Sequence, residues 1–203
     1  MAYTAEEEQE LNEIKAWWKE NYKSLIASVI VAFAGVFGWN YWQTYQANKI
    51  QQTSAYYEMA VYSTQDEAKK RAQIEQFVQE NGKTSYAVLA LLEQAKLEVE
   101  KKDFAQAEQS LKQALTQSSD ETLSSIAALR LASVQFQQQA FDAALESLKQ
   151  VKQTSWESRK QLLTGDILLA KGDKEAAKAS YQQAQQQASP LEAQWLQVRL
   201  NNL

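Results

Sequence analysis

The sequence predicts an all-α protein: one membrane helix followed by a stack of helix pairs. Three observations predict it. The first is Leu25–Trp42 (LIASVIVAFAGVFGWNYW), a run with no charge, set in a longer interval from Lys23 to Lys49 in which nothing ionises. The second is composition: five Gly and one Pro in 203 residues, in a chain rich in Ala, Gln, Leu, Glu and Lys. So few breakers among so many helix formers argue for helix throughout. The third is a self-match: FAQAEQSLK (Phe104–Lys112) and FDAALESLK (Phe141–Lys149) align without a gap, 37 residues apart. A fixed period of that size marks a repeat architecture.

Three regions follow: 1–23, a cytoplasmic acidic tail and interfacial helix; 24–46, the span; and 47–203, a repeat domain beyond the membrane. Residues 1–10 carry Glu6, Glu7 and Glu8 and read as a solvated, mobile tail. From Leu11 the apolar residues Leu11, Ile14, Trp18 and Tyr22 recur at helical spacing among charges. The pattern fits an interfacial helix leading into the span and fits equally well a plain extension of the membrane helix.

An eighteen-residue helix is about 27 Å long, close to the roughly 30 Å hydrocarbon core of a bilayer. A backbone in lipid must satisfy its own hydrogen bonds, so the run must be helical. Trp17, Trp18 and Tyr22 precede it; Trp39, Tyr41, Trp42 and Tyr45 close it. Such amphipathic rings settle at headgroup level and form two aromatic belts. Lys15, Lys19 and Lys23 lie on the N-terminal side and only Lys49 lies close on the other. The positive-inside rule then places the N-terminus in the cytoplasm and the repeats outside, which is the periplasm if the cell is Gram-negative. A cleaved signal peptide fits less well. Ala32-Phe33-Ala34 resembles a cleavage site but lies inside the apolar run, and a leader with six Glu is a poor n-region. Ser28, Ala32, Ala34, Gly35 and Gly38 supply small-xxx-small pairs that would let a second membrane helix approach closely.

Within the repeats, a small residue is followed twelve positions later by Ala: Ala95 and Ala107, Ala132 and Ala144, Gly165 and Ala177. Four residues further stand Leu111, Leu148 and Tyr181. Two antiparallel helices need small residues where their axes cross and large ones a turn away. Lys102-Asp103 and Gly172-Asp173 supply an Asp where a helix start needs an N-cap, and Asp103 with Gln106 approximates a capping box. This is the spacing of a tetratricopeptide-like array. A weaker earlier pair covers 50–81, with Ala60 and Ala72 at the same separation. Ser189-Pro190-Leu191-Glu192 is a strong helix start. It opens a C-terminal capping helix expected to cover the last repeat with Leu191, Trp195, Val198 and Leu203. The fold class is thus a single N-terminal transmembrane helix followed by an α-solenoid of tetratricopeptide-like helix pairs with a C-terminal capping helix.

The chain resembles the YfgM family, the ancillary subunit of the bacterial SecYEG translocon. The resemblance rests on Gly38-Trp39 with Tyr41-Trp42 closing the span, and on Ser85-Tyr86 entering a Leu/Ala-rich helix. It rests further on Ser119-Asp120-Glu121 before Leu129-Arg130-Leu131-Ala132 and Val134-Gln135, and on Asp142-Ala143-Ala144-Leu145 and Trp156. Lys171-Gly172-Asp173-Lys174 and Asn201-Asn202-Leu203 complete it. It implies a single-pass inner-membrane protein with periplasmic repeats. Its implied partners are SecYEG and the membrane-anchored periplasmic chaperone PpiD, and its implied role is to help pass translocated proteins to the periplasmic chaperone network.

The sequence offers little to catalysis. With no His and no Cys there is no Cys nucleophile, no His base and no usual zinc site. No Gly-rich phosphate loop or metal-loop spacing occurs, so neither cofactor nor metal is expected. Glu98 with Glu100, and Asp120 with Glu121, read as helix-surface charges and caps. The formal net charge is −4, and residues 49–203 are nearly neutral with no basic stripe, which excludes nucleic acid as a partner. Binding of protein remains. The first helix of each pair lines the concave face of such arrays. The register set by Ala95, Ala132 and Gly165 makes Leu92, Lys96 and Val99 groove candidates on the first helix. Leu129, Ser133 and Phe136 follow on the next, and Leu162, Asp166 and Leu169 on the third. The apolar members serve equally as core. Two functions compete: a translocon subunit whose repeats hold a chaperone or an unfolded periplasmic client, and a general inner-membrane scaffold for another envelope complex.

Overall fold

The computed structural model describes residues 4–64 and 66–203. Among them lie nine α-helices and no strand. The chain falls into two units, one ending at Gln52 and one spanning Thr53–Leu203.

The first unit belongs to α1 (Ala5–Tyr62), 58 residues without a break. The acidic segment expected to be a mobile tail is helical from Ala5 onward; residues 1–3 lie outside the described residues. Glu6, Glu7 and Glu8 occupy its first turn, where carboxylates complement the positive end of the helix dipole. Thr4 and Glu7 exchange hydrogen bonds across that turn. Leu11 to Tyr22 continue into the apolar run within the same helix. The helix is long and apolar enough to cross a membrane, and its apolar window is fully exposed. Three of its polar side chains bond to the helix itself: Asn21 donates to the Trp17 carbonyl, Ser28 to that of Ser24 and Thr44 to that of Asn40.

The second unit begins with the end of α1, where Thr53, Ala60 and Val61 are buried. It continues with α2 (Glu67–Asn81), α3 (Ser85–Glu100), α4 (Phe104–Gln117), α5 (Glu121–Gln137), α6 (Phe141–Leu148), α7 (Glu157–Ala170), α8 (Lys174–Gln186) and α9 (Pro190–Asn201). Helices α3/α4, α5/α6 and α7/α8 are the three repeat pairs. In these three pairs every small residue picked by the twelve-residue rule is buried: Ala95, Ala107, Ala132, Ala144, Gly165 and Ala177, together with Leu111, Leu148 and Tyr181. The weaker N-terminal pair is not a copy of these. Ala60 is buried but Ala72 is exposed, because α2 turns Ile74, Phe77 and Val78 inward instead.

Side-chain caps start most of the helices. Asp66, Thr84, Asp103, Asp120, Asp173 and Ser189 each accept from an amide of the first turn. Only half of the box expected at Asp103 forms: Asp103 accepts from the Gln106 backbone amide, while the Gln106 side-chain oxygen Oε1 accepts from Arg71. The box at Ser189 and Glu192 is complete. The inner helix of each pair ends in one shared turn. Lys102, Gln139 and Gly172 all adopt positive φ, at 61°, 61° and 89°. The next amide reaches back to the helix in each case, from Asp103 to Glu98, Ala140 to Gln135 and Asp173 to Leu168, the six-to-one bond of a Schellman turn.

The core is segmented as expected of a solenoid, where each repeat packs on its neighbours. One cluster joins the end of α1 to α5, a second sits between α5, α6 and α7, and a third between α7, α8 and α9. The face that α9 buries differs from expectation. Leu196 is 1% exposed and packs with Leu200 and Leu203, whereas Leu191, Trp195 and Val198 face outward. Apolar residues lie all round α9, so its period does not select a face, and the third cluster takes Leu196.

Candidate functional site

The inner helices α3, α5 and α7 line two adjoining cavities. One, about 420 Å³, is bounded by Ala95, Lys96, Val99 and Glu100 from α3, Leu111 from α4, and Arg130, Ser133 and Val134 from α5. The other, about 430 Å³, is bounded by Leu129, Arg130 and Ser133 from α5, Arg159, Leu162, Leu163 and Asp166 from α7, and Glu192 and Trp195 from α9. Arg130 and Ser133 line both, so the cavities form one groove across the repeats.

Six of the nine groove candidates meet here: Lys96, Val99, Leu129, Ser133, Leu162 and Asp166. Three do not. Leu92 is 4% exposed and belongs to the first core cluster, so a groove contact there is corrected to a core role. Its carbonyl points out instead and accepts from Arg130. Phe136 is half-buried against Phe141, ring centroids 6.0 Å apart. Leu169 packs against the third cluster. Arg130, Leu163, Arg159 and Trp195 were missed. Arg130 and Leu163 were legible: they share one repeat position, 33 residues apart, directly after Leu129 and Leu162. The sequence pattern places Trp195 on the core face of α9 instead.

The groove is electrostatically uneven. Asp166 is engaged, accepting from the Tyr181 hydroxyl at 2.7 Å and pairing with Arg199 at 3.1 Å. Burial, and then that bond to Asp166, push the Tyr181 phenol up from its ordinary value. Glu192 is held by the backbone amide of Ser189 and then by its hydroxyl, which keep its carboxyl below the usual range. Lys96 pairs with Glu93 at 3.2 Å. Arg130 and Arg159 make no ion pair among the described residues.

Glu98 and Glu100 do not form a surface pair. Glu98 is 5% exposed and accepts from Ser110 at 2.8 Å and from Gln94 at 3.2 Å. One repeat later Gln135 and Ser147 occupy the same places, with Ser147 donating at 2.6 Å. The signal was the twelve-residue spacing already seen for the Ala pairs.

On α1 the predicted belt residues Trp17, Trp18, Trp39, Tyr41 and Trp42 are exposed and Tyr22 is half-exposed. Trp39 and Trp42 lie against each other, centroids 5.5 Å apart. Ser28, Ala32, Ala34, Gly35 and Gly38 are all exposed between them.

Comparisons with known proteins agree with this architecture. The tetratricopeptide repeat-like domain family matches residues 15–203. The "Ancillary SecYEG translocon subunit" of Aggregatibacter actinomycetemcomitans is 62% identical over the full length of both chains, and the protein of that name from Haemophilus influenzae is 58% identical over the same extent. The namesake from Escherichia coli is 33% identical over 97% of this chain and 96% of its own. With a long apolar helix leading a repeat domain and full-length relatives of one name, the chain belongs to the family of ancillary SecYEG translocon subunits.

Proposed function

We propose that the chain acts as an ancillary subunit of the SecYEG translocon, held in the inner membrane by α1 with its N-terminus cytoplasmic and its repeats periplasmic. The observation that carries this reading is the full-length match to two relatives of that name at 62% and 58% identity. Lys15, Lys19 and Lys23 against Lys49 support the orientation. The small residues Ser28, Ala32, Ala34, Gly35 and Gly38 offer a face for a translocon or chaperone helix. The groove offers the repeats a place to hold PpiD or an unfolded client. In this role the protein does no chemistry; it raises the local concentration of a chaperone where polypeptides emerge.

Photo-crosslinking probes at Ala34 in the span and at Val99 and Leu162 in the groove test the reading. Recovery of translocon subunits from the first and of PpiD or nascent chains from the others is expected. Recovery of neither sinks it and favours the scaffold alternative. A periplasm-active reporter fused after Leu203 should be active; a silent, fully expressed fusion reverses the orientation.

A further inference from the structure

The groove has an apolar floor and two arginines, Arg130 and Arg159, that make no ion pair among the described residues. Val99, Leu129 and Leu162 supply the floor, and Trp195 stands at one wall, 66% exposed. Both carboxylates of the larger cavity are already engaged, Asp166 by Tyr181 and Arg199, and Glu192 by Ser189 with the charge of Arg159 adding to its hold. Glu100 lines the smaller cavity, at the end of α3. Arg130 is steadied by its bond to the Leu92 carbonyl, yet neither it nor Arg159 faces a carboxylate at ion-pair distance among the described residues. Guanidinium groups present flat, forked donors that match carboxylates, and they remain charged at any physiological pH. Exposed aromatic and apolar surface beside them favours a segment that brings apolar side chains too.

We infer that the groove selects a polypeptide segment in which acidic side chains flank apolar ones, the carboxylates meeting Arg130 and Arg159 while the apolar side chains seat on Leu129, Leu162 and Trp195. This rests on the groove being the binding face, and it adds the chemistry of the occupant. Basic segments are disfavoured by the same two arginines, so the groove discriminates by charge between partners that are equally apolar.

The test uses the full chain in nanodiscs of neutral phosphatidylcholine and three fluorescein-labelled peptides of equal length. All carry Leu and Trp at helical spacing, with Glu, Gln or Lys at the intervening positions. By anisotropy, the Glu peptide should bind at least about tenfold more tightly than the Gln peptide. The Lys peptide should bind more weakly still, and added salt should erode the preference. R130Q/R159Q should bring the Glu peptide down to the affinity of the Gln peptide and leave the latter unchanged. R159Q alone, which removes no hydrogen bond seen in the structure, should give part of that loss and covers a failure of the double variant to fold. Equal affinity for Glu and Gln peptides, with both lost in L162D, overturns the charge selection and leaves the groove reading intact. Binding of all peptides unaffected by L162D, or no binding at all, overturns both. A response to anionic vesicles but not to the Glu peptide also overturns the inference, by assigning the arginines to lipid.

Discussion

Gly165 and Tyr181 meet so closely that a Cβ on the glycine would stand 2.4 Å from Cε1 of the ring and 2.5 Å from Cδ1. The third repeat pair crosses by letting a large ring take the space that the first two pairs fill with Leu111 and Leu148. The missing side chain on α7 is therefore the counterpart of the extra ring on α8. Gly165→Ala should destabilise the repeat domain by about 1–3 kcal/mol despite its better helix propensity. Thermal melting of the detergent-solubilised chain checks this; an unchanged or raised melting temperature refutes the crossing geometry.

The turns at Lys102 and Gln139 hold ordinary side chains where the third repeat has Gly172. A left-handed residue with a Cβ costs roughly 1–2 kcal/mol, and glycine escapes this at some entropic cost in the unfolded chain. Lys102→Gly and Gln139→Gly should each stabilise the domain by about 0.5–1 kcal/mol. Denaturant midpoints read the effect, and destabilisation by either change would show that the side chain contributes more than its backbone strain costs.

Ser147 donates to Gln135 inside the second repeat, and Gln135 in turn donates to Glu108 at 3.1 Å. At the matching place in the third repeat Leu168 stands opposite Ser180, which turns to the carbonyl of Ala176. Ser147→Ala alone should cost about 1–3 kcal/mol by leaving the buried Gln135 oxygen without a donor. Adding Gln135→Leu should recover part of that loss, because replacing both partners removes the orphan. Strict additivity of the two changes would argue against a shared network.

The repeat register was legible because crossing helices leave a steric signature: Ala95 with Ala107 and Ala132 with Ala144 can be nothing larger. The Ser189 start was legible because a capping box is a local motif that owes nothing to tertiary packing. Glu98 was hidden because its charge reads as solvated, and only its spacing from Ser110 shows that it is enclosed. The face of α9 was hidden because Leu191, Trp195, Leu196, Val198, Leu200 and Leu203 surround the helix and packing alone chooses among them. Part of the groove was legible from the inner-helix face, Arg130 included, by its repeat position after Leu129. That Arg130 and Arg159 lack an ion pair was not, since a lone cation on a helix carries no sign of whether a carboxylate waits nearby.

The box at Ser189 and Glu192 makes the start of α9 sensitive to acid. The folded carboxyl sits below its ordinary value, chiefly because the Ser189 amide donates to it. The stability it contributes is therefore complete above about pH 4.3, the unfolded value, and is lost as pH falls through the lower, folded one. Ser189→Ala should cost about 0.5–2 kcal/mol near neutrality. Glu192→Gln should lower the melting temperature at pH 7, and its deficit against the parent should narrow in acid. A deficit that stays constant from pH 7 to pH 3 would mean that the charge on Glu192 is immaterial to the cap.

Neighbours on α9 divide its work between packing and display. Leu196 is buried against Tyr181 and Ala184 in the third cluster, while Trp195 stands at the groove wall. Leu196→Ala should cost about 2–5 kcal/mol, the range for a leucine removed from a well-packed site. Trp195→Ala should change stability by no more than about 0.5 kcal/mol, as expected of an exposed position, yet weaken capture of a groove-bound peptide. The two variants thus separate stability from binding on one turn of helix. If Trp195→Ala proves the more destabilising of the two, α9 packs on the face that the sequence alone had suggested, and the wall of the groove must be redrawn without it.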